Sequence, residues 1–311
     1  MNAPESPKAA AARTSDANER GGFLLGLTAY ALWGVLPIYF KIVEVLPAPD
    51  VVAHRVVWSL PLLVVLVAIT RRGEKLKAAG AQPRTIAMLT VTALLIGGNW
   101  LLYVYAVTSG HILAASFGYY LNPLANVLLG RFVLREKLSR LQWAAVAIAG
   151  AGISVLAAGA LGQLWISLTL CATFALYGLL RKIVAADPVT GLAIETGLLF
   201  PIALLWLGWQ ASRGVSVMGN STTLTVLLML AGVVSTTPLL LFTAAAKRLP
   251  YSTLGMLQFI APTLQFLIAV LLYSEPFSAT NAIAFAAIWS ALGLYVTALV
   301  RHARADVTPP E

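Results

Sequence analysis

Long apolar stretches separated by short basic clusters set the pattern of this chain. Residues 22–40, 85–130, 141–180, 214–246, 249–274 and 276–300 contain no Asp, Glu, Lys or Arg. A helix that crosses a bilayer takes about 20 apolar residues. The run 85–130 is too long for one crossing and breaks at Thr108-Ser109-Gly110-His111, where a turn is favoured. The run 141–180 breaks around Gly159-Ala160-Leu161-Gly162. The pattern predicts ten spans, at about 22–43, 50–70, 84–107, 112–134, 139–158, 163–183, 189–210, 222–246, 251–273 and 278–300. Residues 1–20 are polar and Ala-rich and read as a disordered cytoplasmic tail, not a signal peptide, because the stretch that follows spans fully. Residues 302–311 read as a second cytoplasmic tail.

Composition agrees and excludes other classes. Of 311 residues, 59% are hydrophobic and 11% charged, and the mean hydropathy is +0.84. That is too little polar surface for a soluble domain and too little charge for a disordered chain. The one cysteine, Cys171, lies in an apolar run, so the chain has no disulfide framework. The net charge of +9 would fit nucleic acid or a membrane surface, and its placement decides. With the N-terminus inside, 18 of the 21 Lys and Arg fall in inner segments: the tail, residues 71–84, 131–140, 181–182, 247–248 and 301–304. Only Lys41, Arg55 and Arg213 fall elsewhere. Cationic loops are retained in the cytoplasm. The basic balance therefore reports orientation in a cell (inner) membrane, with both termini cytoplasmic, and needs no nucleic acid.

The chain also repeats itself. Residues 112–138 align with 251–277 at a constant offset of 139, which places Pro123 on Pro262, Glu136 on Glu275, Tyr119 on Gln258 and Asn126 on Gln265. Ala31-Leu32-Trp33-Gly34 matches Ala175-Leu176-Tyr177-Gly178, and an offset of 140 places Pro61 on Pro201 and Arg55 on Glu195. Two five-span halves follow, residues 21–159 and 160–301. Five is odd, so the second half enters the membrane upside down, an arrangement typical of secondary transporters.

Polar residues inside spans are costly and mark candidate sites. Arg55, near the outer end of the second span, reads either as snorkelling to headgroups or as an anion-binding or gating residue. His54 beside it reads as a partnered polar residue before a proton relay. Glu195 is the only acid well inside a span, and either pairs with Arg181 or Lys182 or serves a proton or a cation. Its repeat position puts it across the midplane from Arg55, so no direct salt bridge between the two is expected. Tyr119, Tyr120, Pro123 and Asn126 form a stripe on the fourth span, which Gln258, Pro262 and Gln265 repeat on the ninth. The two prolines bend their helices. Trp33 and Pro37 on the first span, Asn99 and Tyr103 on the third, and Tyr177 on the sixth complete an aromatic, mostly neutral cavity. Such a cavity suits a small amphipathic or aromatic solute better than a bare ion. Ala147, Gly150, Ala151 and Ser154 on the fifth span, and Ala284, Ala287 and Ala291 on the tenth, permit close packing within the chain and leave a homodimer open.

No nucleotide-binding loop or metalloprotease motif occurs, and His54, His111 and His302 lie at different depths. Neither a cofactor nor a metal is expected. A membrane enzyme would need convergent acids, histidines or a metal cluster, and only Glu195 is available.

These motifs resemble the RarD-type permeases of the EamA group, in the drug/metabolite transporter superfamily. The likeness runs from about residue 20 to 300. It is carried by Tyr30-Ala31-Leu32-Trp33-Gly34, Ala53-His54-Arg55, Asn99-Trp100 to Tyr103, Gly118-Tyr119-Tyr120, Asn122-Pro123-Leu124, Glu195-Thr196, Thr237-Pro238-Leu239, Pro262-Thr263-Leu264-Gln265 and Glu275-Pro276. The resemblance implies an all-α polytopic fold of ten transmembrane helices in two inverted five-helix repeats, with a central cavity and the fifth and tenth helices to the side. It implies a permease for small metabolites or drug-like solutes. From the residues alone, a proton carried by Glu195 is one candidate coupling ion, beside the reading of Glu195 as an ion-pair partner. The alternative is a transporter-derived sensor or assembly partner without net flux.

Overall fold

A computed structural model describes residues 7–43, 46–109, 111–157, 164–215, 218–219, 221–272 and 279–305. Among them all regular structure is helical: α1 (Pro7–Ile42), α2 (Ala48–Ile69), α3 (Gly73–Gly80), α4 (Pro83–Thr108), α5 (Ile112–Phe132), α6 (Arg140–Ala157), α7 (Leu164–Ile183), α8 (Pro188–Ser212), α9 (Thr222–Ala246), α10 (Tyr251–Leu257), α11 (Ile260–Leu271) and α12 (Ala279–Ala305). Helices satisfy every backbone group internally, which hydrocarbon requires. Six of them (α1, α2, α4, α7, α8 and α9) contain segments long and apolar enough to cross a bilayer, and α6 and α12 carry shorter apolar stretches. The outside of the bundle is apolar: Leu205 and Leu271 are 75% and 77% exposed. Water would not tolerate such a surface, whereas lipid does.

Three local features differ from the sequence reading. First, α1 begins at Pro7, inside the segment expected to be disordered. Ala9 to Ala12 favour helix, and at 36 residues, about 54 Å, α1 outruns the hydrocarbon core. Likewise α12 continues to Ala305, into the expected second tail. Second, the short helix α3 fills the basic connection between the second and third predicted spans. Third, the ninth predicted span is two helices, α10 and α11, broken at Gln258-Phe259. Pro262 has no N–H for the Gln258 carbonyl, which accepts from Ala261 N instead (3.3 Å). Pro123 lies within the continuous α5. The boundary between the two halves at residues 159–160, and also Glu275, fall outside the described residues.

One end of the bundle is basic and tightly tied. Lys182 Nζ at the end of α7 donates to the Ala246 carbonyl (2.9 Å) and to that of Leu249, and Lys247 donates to the Val184 carbonyl. Arg72 pairs with Asp187, which also caps α8 through Val189 N (3.1 Å) and Thr190 N (3.2 Å). Glu136 beyond α5 accepts from Tyr251 N (2.5 Å), Ser252 N (2.9 Å) and Ser252 Oγ (2.6 Å), capping α10 from the other half of the chain. Burial and the neighbouring Arg181 and Lys182 charges push Lys247 down to about 8. Burial alone would raise Asp187, but the Thr190 hydrogen bonds and the Arg72 charge hold it below the usual carboxylate range.

Helix pairing runs mostly across the halves. α1 packs on α9 and α11, and α7 packs on α4 and α5; α2 packs on α9, and α8 on α4. The pairs α2–α8, α5–α10 and α6–α12 also form. Exchanging α1 with α7, α2 with α8, α4 with α9, α5 with α10–α11 and α6 with α12 reproduces this set of pairs. The small-residue stripes meet within the chain: a Cβ on Gly152 would lie 2.8 Å from that of Ala287.

Candidate functional site

Inside the bundle lies a cavity of about 300 Å³. Helix periodicity brings one face of each wall to it. α1 contributes Tyr30, Trp33, Leu36 and Pro37; α4 contributes Ile96, Asn99, Trp100 and Tyr103; α5 contributes Tyr119 and Tyr120. Gln258, Ala261, Pro262 and Gln265 come from the broken ninth span, Arg55 from α2, Phe174 from α7 and Leu239 from α9.

Arg55 is the only charged residue among the described residues of this wall. Its guanidinium carbon sits 4.4 Å above the Trp100 ring, and its Nε donates to Ser235 Oγ (2.6 Å). Ser59 Oγ donates to the Arg55 carbonyl (2.5 Å) and accepts from Thr236 Oγ1 (2.7 Å). This network needs α2 and α9 in close approach, which Gly232 permits, since a Cβ there would collide with the Trp58 backbone. No acid pairs with Arg55 among the described residues. The side chain is held against Trp100 and Ser235 in the cavity wall.

Neutral amides hold the rest of the wall. Asn99 Nδ2 donates to the Leu170 carbonyl and to Thr173 Oγ1, both at 2.9 Å, and Tyr119 donates to Asn99 Oδ1 (3.0 Å). Asn126 Nδ2 donates to Gln258 Oε1 (2.9 Å). Gln265 Nε2 donates to the Trp33 carbonyl (3.1 Å), which Pro37 leaves without its helical partner. Toward the basic end an aromatic layer floors the cavity. Phe242 lies 5.6 Å from Trp33, 6.2 Å from Tyr30 and 6.3 Å from Tyr177, and Tyr30, Tyr177, Phe242 and Tyr251 are all fully buried.

Below this layer sits a buried ion pair. Arg181 Nε lies 3.6 Å from Glu195 Oε1, with both side chains sequestered. Thr92 donates to Glu195 Oε1 (2.5 Å) and Tyr177 to Oε2 (3.5 Å). Gly191 makes room for the Arg181 guanidinium. Glu195 also lines a small pocket of about 20 Å³ together with Arg55, Ser59, Thr196, Ser235 and Thr236. That is room for one water molecule. Arg55 and Glu195 thus reach the same small pocket from the packed pair α2 and α8 and make no salt bridge.

The structure gathers Trp33, Pro37, Arg55, Asn99, Tyr103, Tyr119, Tyr120, Gln258, Pro262 and Gln265 around one cavity. Asn126 stands behind the wall, Tyr177 in the floor, and Glu195 beyond it. His54 is buried and lines neither pocket; Pro123 lines neither as well. Trp100, Phe174, Ser235 and Thr92 join the site only through the packing of the helices. Thr92 and Asn99, seven apart on α4, share a face, a signal that was present.

Residues 20–158 match the family model of the EamA-like transporter family. The chain is 47% identical to an "Uncharacterized transporter" of Vibrio cholerae, over 88% of this chain and 91% of the other. It is 47% identical to "Protein RarD" of Escherichia coli, over 89% and 94%. A solved crystal structure, 18% identical, covers 89% of this chain and 97% of its own with a TM-score of 0.68, and shares the fold.

Proposed function

The chain belongs to the EamA-like transporter family as a RarD-type member of the drug/metabolite transporter superfamily, and from that premise we propose that this membrane transporter is a secondary-active permease working by alternating access. Small metabolites or drug-like solutes occupy the central cavity, and the two inverted halves rock about it. The observation that carries this reading is the 300 Å³ cavity walled by residues of both halves and floored by fully buried aromatics toward the basic end. The pairing of helices across the halves, unchanged when the halves are exchanged, supports the inverted repeat and ten crossings.

With the basic end in the cytoplasm of the cell that holds it in its (inner) membrane, the conformation is closed inward. Arg55 receives an anionic group of the solute. Glu195 serves the inner gate, and protonation of its carboxylate releases the hold on Arg181 and Tyr177, coupling transport to a proton. The close α6–α12 contact consumes the small-residue stripes, so one chain suffices. A solute or ion gradient drives the cycle.

Proteoliposomes equilibrated with a bacterial metabolite extract, washed and read by mass spectrometry test the proposal. At least one small solute should accumulate with protein and not in empty vesicles, and should exchange for its labelled form. Solute content indistinguishable from empty vesicles would contradict it.

A further inference from the structure

We infer that the cavity selects monoanionic aromatic solutes that lack an ammonium group, such as aryl-substituted carboxylic acids, over zwitterionic amino acids, amines and neutral analogues. The inference rests on the reading of the cavity as a solute site and names the class of solute.

Three observations carry it. Among the described residues the wall holds one charge, Arg55, and no acid. Only the guanidinium Nε is engaged, by Ser235, which leaves its fork of terminal nitrogens for an oxyanion. Burying an arginine without a counter-charge is expensive, and a bound carboxylate relieves that cost.

Around Arg55 the wall is aromatic. Trp33, Trp100, Tyr103, Tyr119 and Phe174 all face the cavity, with Tyr103 and Tyr119 5.6 Å apart and Trp33 and Phe174 6.0 Å apart. Offset and edge-on stacking at these spacings suits a planar ring.

The third observation concerns what the cavity denies. An ammonium could be held by a carboxylate, by backbone carbonyls freed at helix breaks or over an aromatic face, but of these only a carboxylate cancels its charge. Among the described residues the wall has no carboxylate. The prolines in it, Pro37 and Pro262, free the carbonyls of Trp33 and Gln258, and both are already taken, by Gln265 Nε2 at 3.1 Å and by Ala261 N at 3.3 Å. In an α-amino acid the ammonium sits one carbon from the carboxylate. Binding the carboxylate therefore drags a second cation toward Arg55, where the described wall offers no carboxylate and Glu195 of the adjoining pocket is paired with Arg181.

A matched series reads this directly. 3-Phenylpropionate, L-phenylalanine, 2-phenylethylamine, 3-phenyl-1-propanol and propionate are titrated into the purified full chain in detergent by calorimetry, with Arg55→Ala and Arg55→Lys alongside. The expected result is binding of 3-phenylpropionate about 10- to 100-fold tighter than each other member, as a charge-assisted hydrogen bond to arginine supplies. Arg55→Ala should lose that preference and Arg55→Lys should keep part of it. Phenylalanine or the alcohol binding as tightly as the acid overturns the inference, and so does no binding by the acid. The wild-type series decides even if the variants fail to fold. Binding of the acid without its counterflow in vesicles would sink the transport reading and leave this one; counterflow of the zwitterion in preference to the acid would do the reverse.

Discussion

Arg181 and Glu195 lie 3.6 Å apart, each with a side chain no more than 1% exposed. Arg181 Nε and Nη1 make no hydrogen bond, although Nη2 donates to the Pro188 carbonyl at 3.2 Å. Removing one member of such a pair strands a charge. Glu195→Ala should destabilise the protein by about 3–5 kcal/mol, and the double change Arg181→Met with Glu195→Leu should recover most of it. Thermal unfolding in detergent measures the cycle; additive losses would show that the two residues do not act as a pair.

Arg55→Ala and Glu195→Gln should both abolish solute exchange in proteoliposomes while expression and insertion persist. Wild-type exchange in both would remove these residues from the mechanism. If protonation of Glu195 couples transport, uptake by the wild type should respond to an imposed pH gradient; indifference would leave Glu195 a structural partner of Arg181 only.

Two glycines should respond with opposite sign. Gly232→Ala drives a Cβ into the Trp58 backbone, which cannot step aside as a side chain can, so it should cost about 1–3 kcal/mol and loosen the Arg55–Ser235 contact. Gly98→Ala, in α4, meets nothing within 4 Å and should stabilise by about 0.5–1 kcal/mol through helix propensity. Melting curves of the pair decide; equal shifts would contradict the close approach of α2 and α9.

Lys247 gives a pH signature. Its folded value, about 8, lies below the ordinary 10.5. The unfolded chain then binds the proton more readily, so stability rises as pH climbs between about 8 and 10.5, and the penalty is full below that window. Relative to Lys247→Gln, the wild type should gain melting temperature from pH 7 to pH 10. A constant difference between the two would exclude the perturbation.

Much of the architecture was legible because bilayers impose simple rules. The cations at 71–84, 131–140, 181–182 and 247–248 fixed which loops share an end, and the structure ties those loops together through Lys182, Lys247, Arg72 and Glu136. The faces of α1 and α4 followed from spacing alone, as with Trp33 and Pro37, or Asn99 and Tyr103. What escaped depends on neighbours. Pro123 and Pro262 carry the same local penalty, yet only the second breaks its helix, and nothing within either segment announces that. Trp100 reads as one of many membrane tryptophans until Arg55 lies over it. Ser235 escaped because which of three adjacent hydroxyls, Ser235, Thr236 or Thr237, meets Arg55 is decided by helix packing.

Alternating access requires that one cavity be reached from both sides of the membrane in turn. Leu36 lines that cavity, so Leu36→Cys in a Cys171→Ala background gives it a single thiol. A membrane-impermeant maleimide is added separately to right-side-out and inside-out vesicles. Labelling is expected in both, slower from the basic side, where Tyr177 and Phe242 must part first. Labelling from one side alone, however long the exposure, would contradict it.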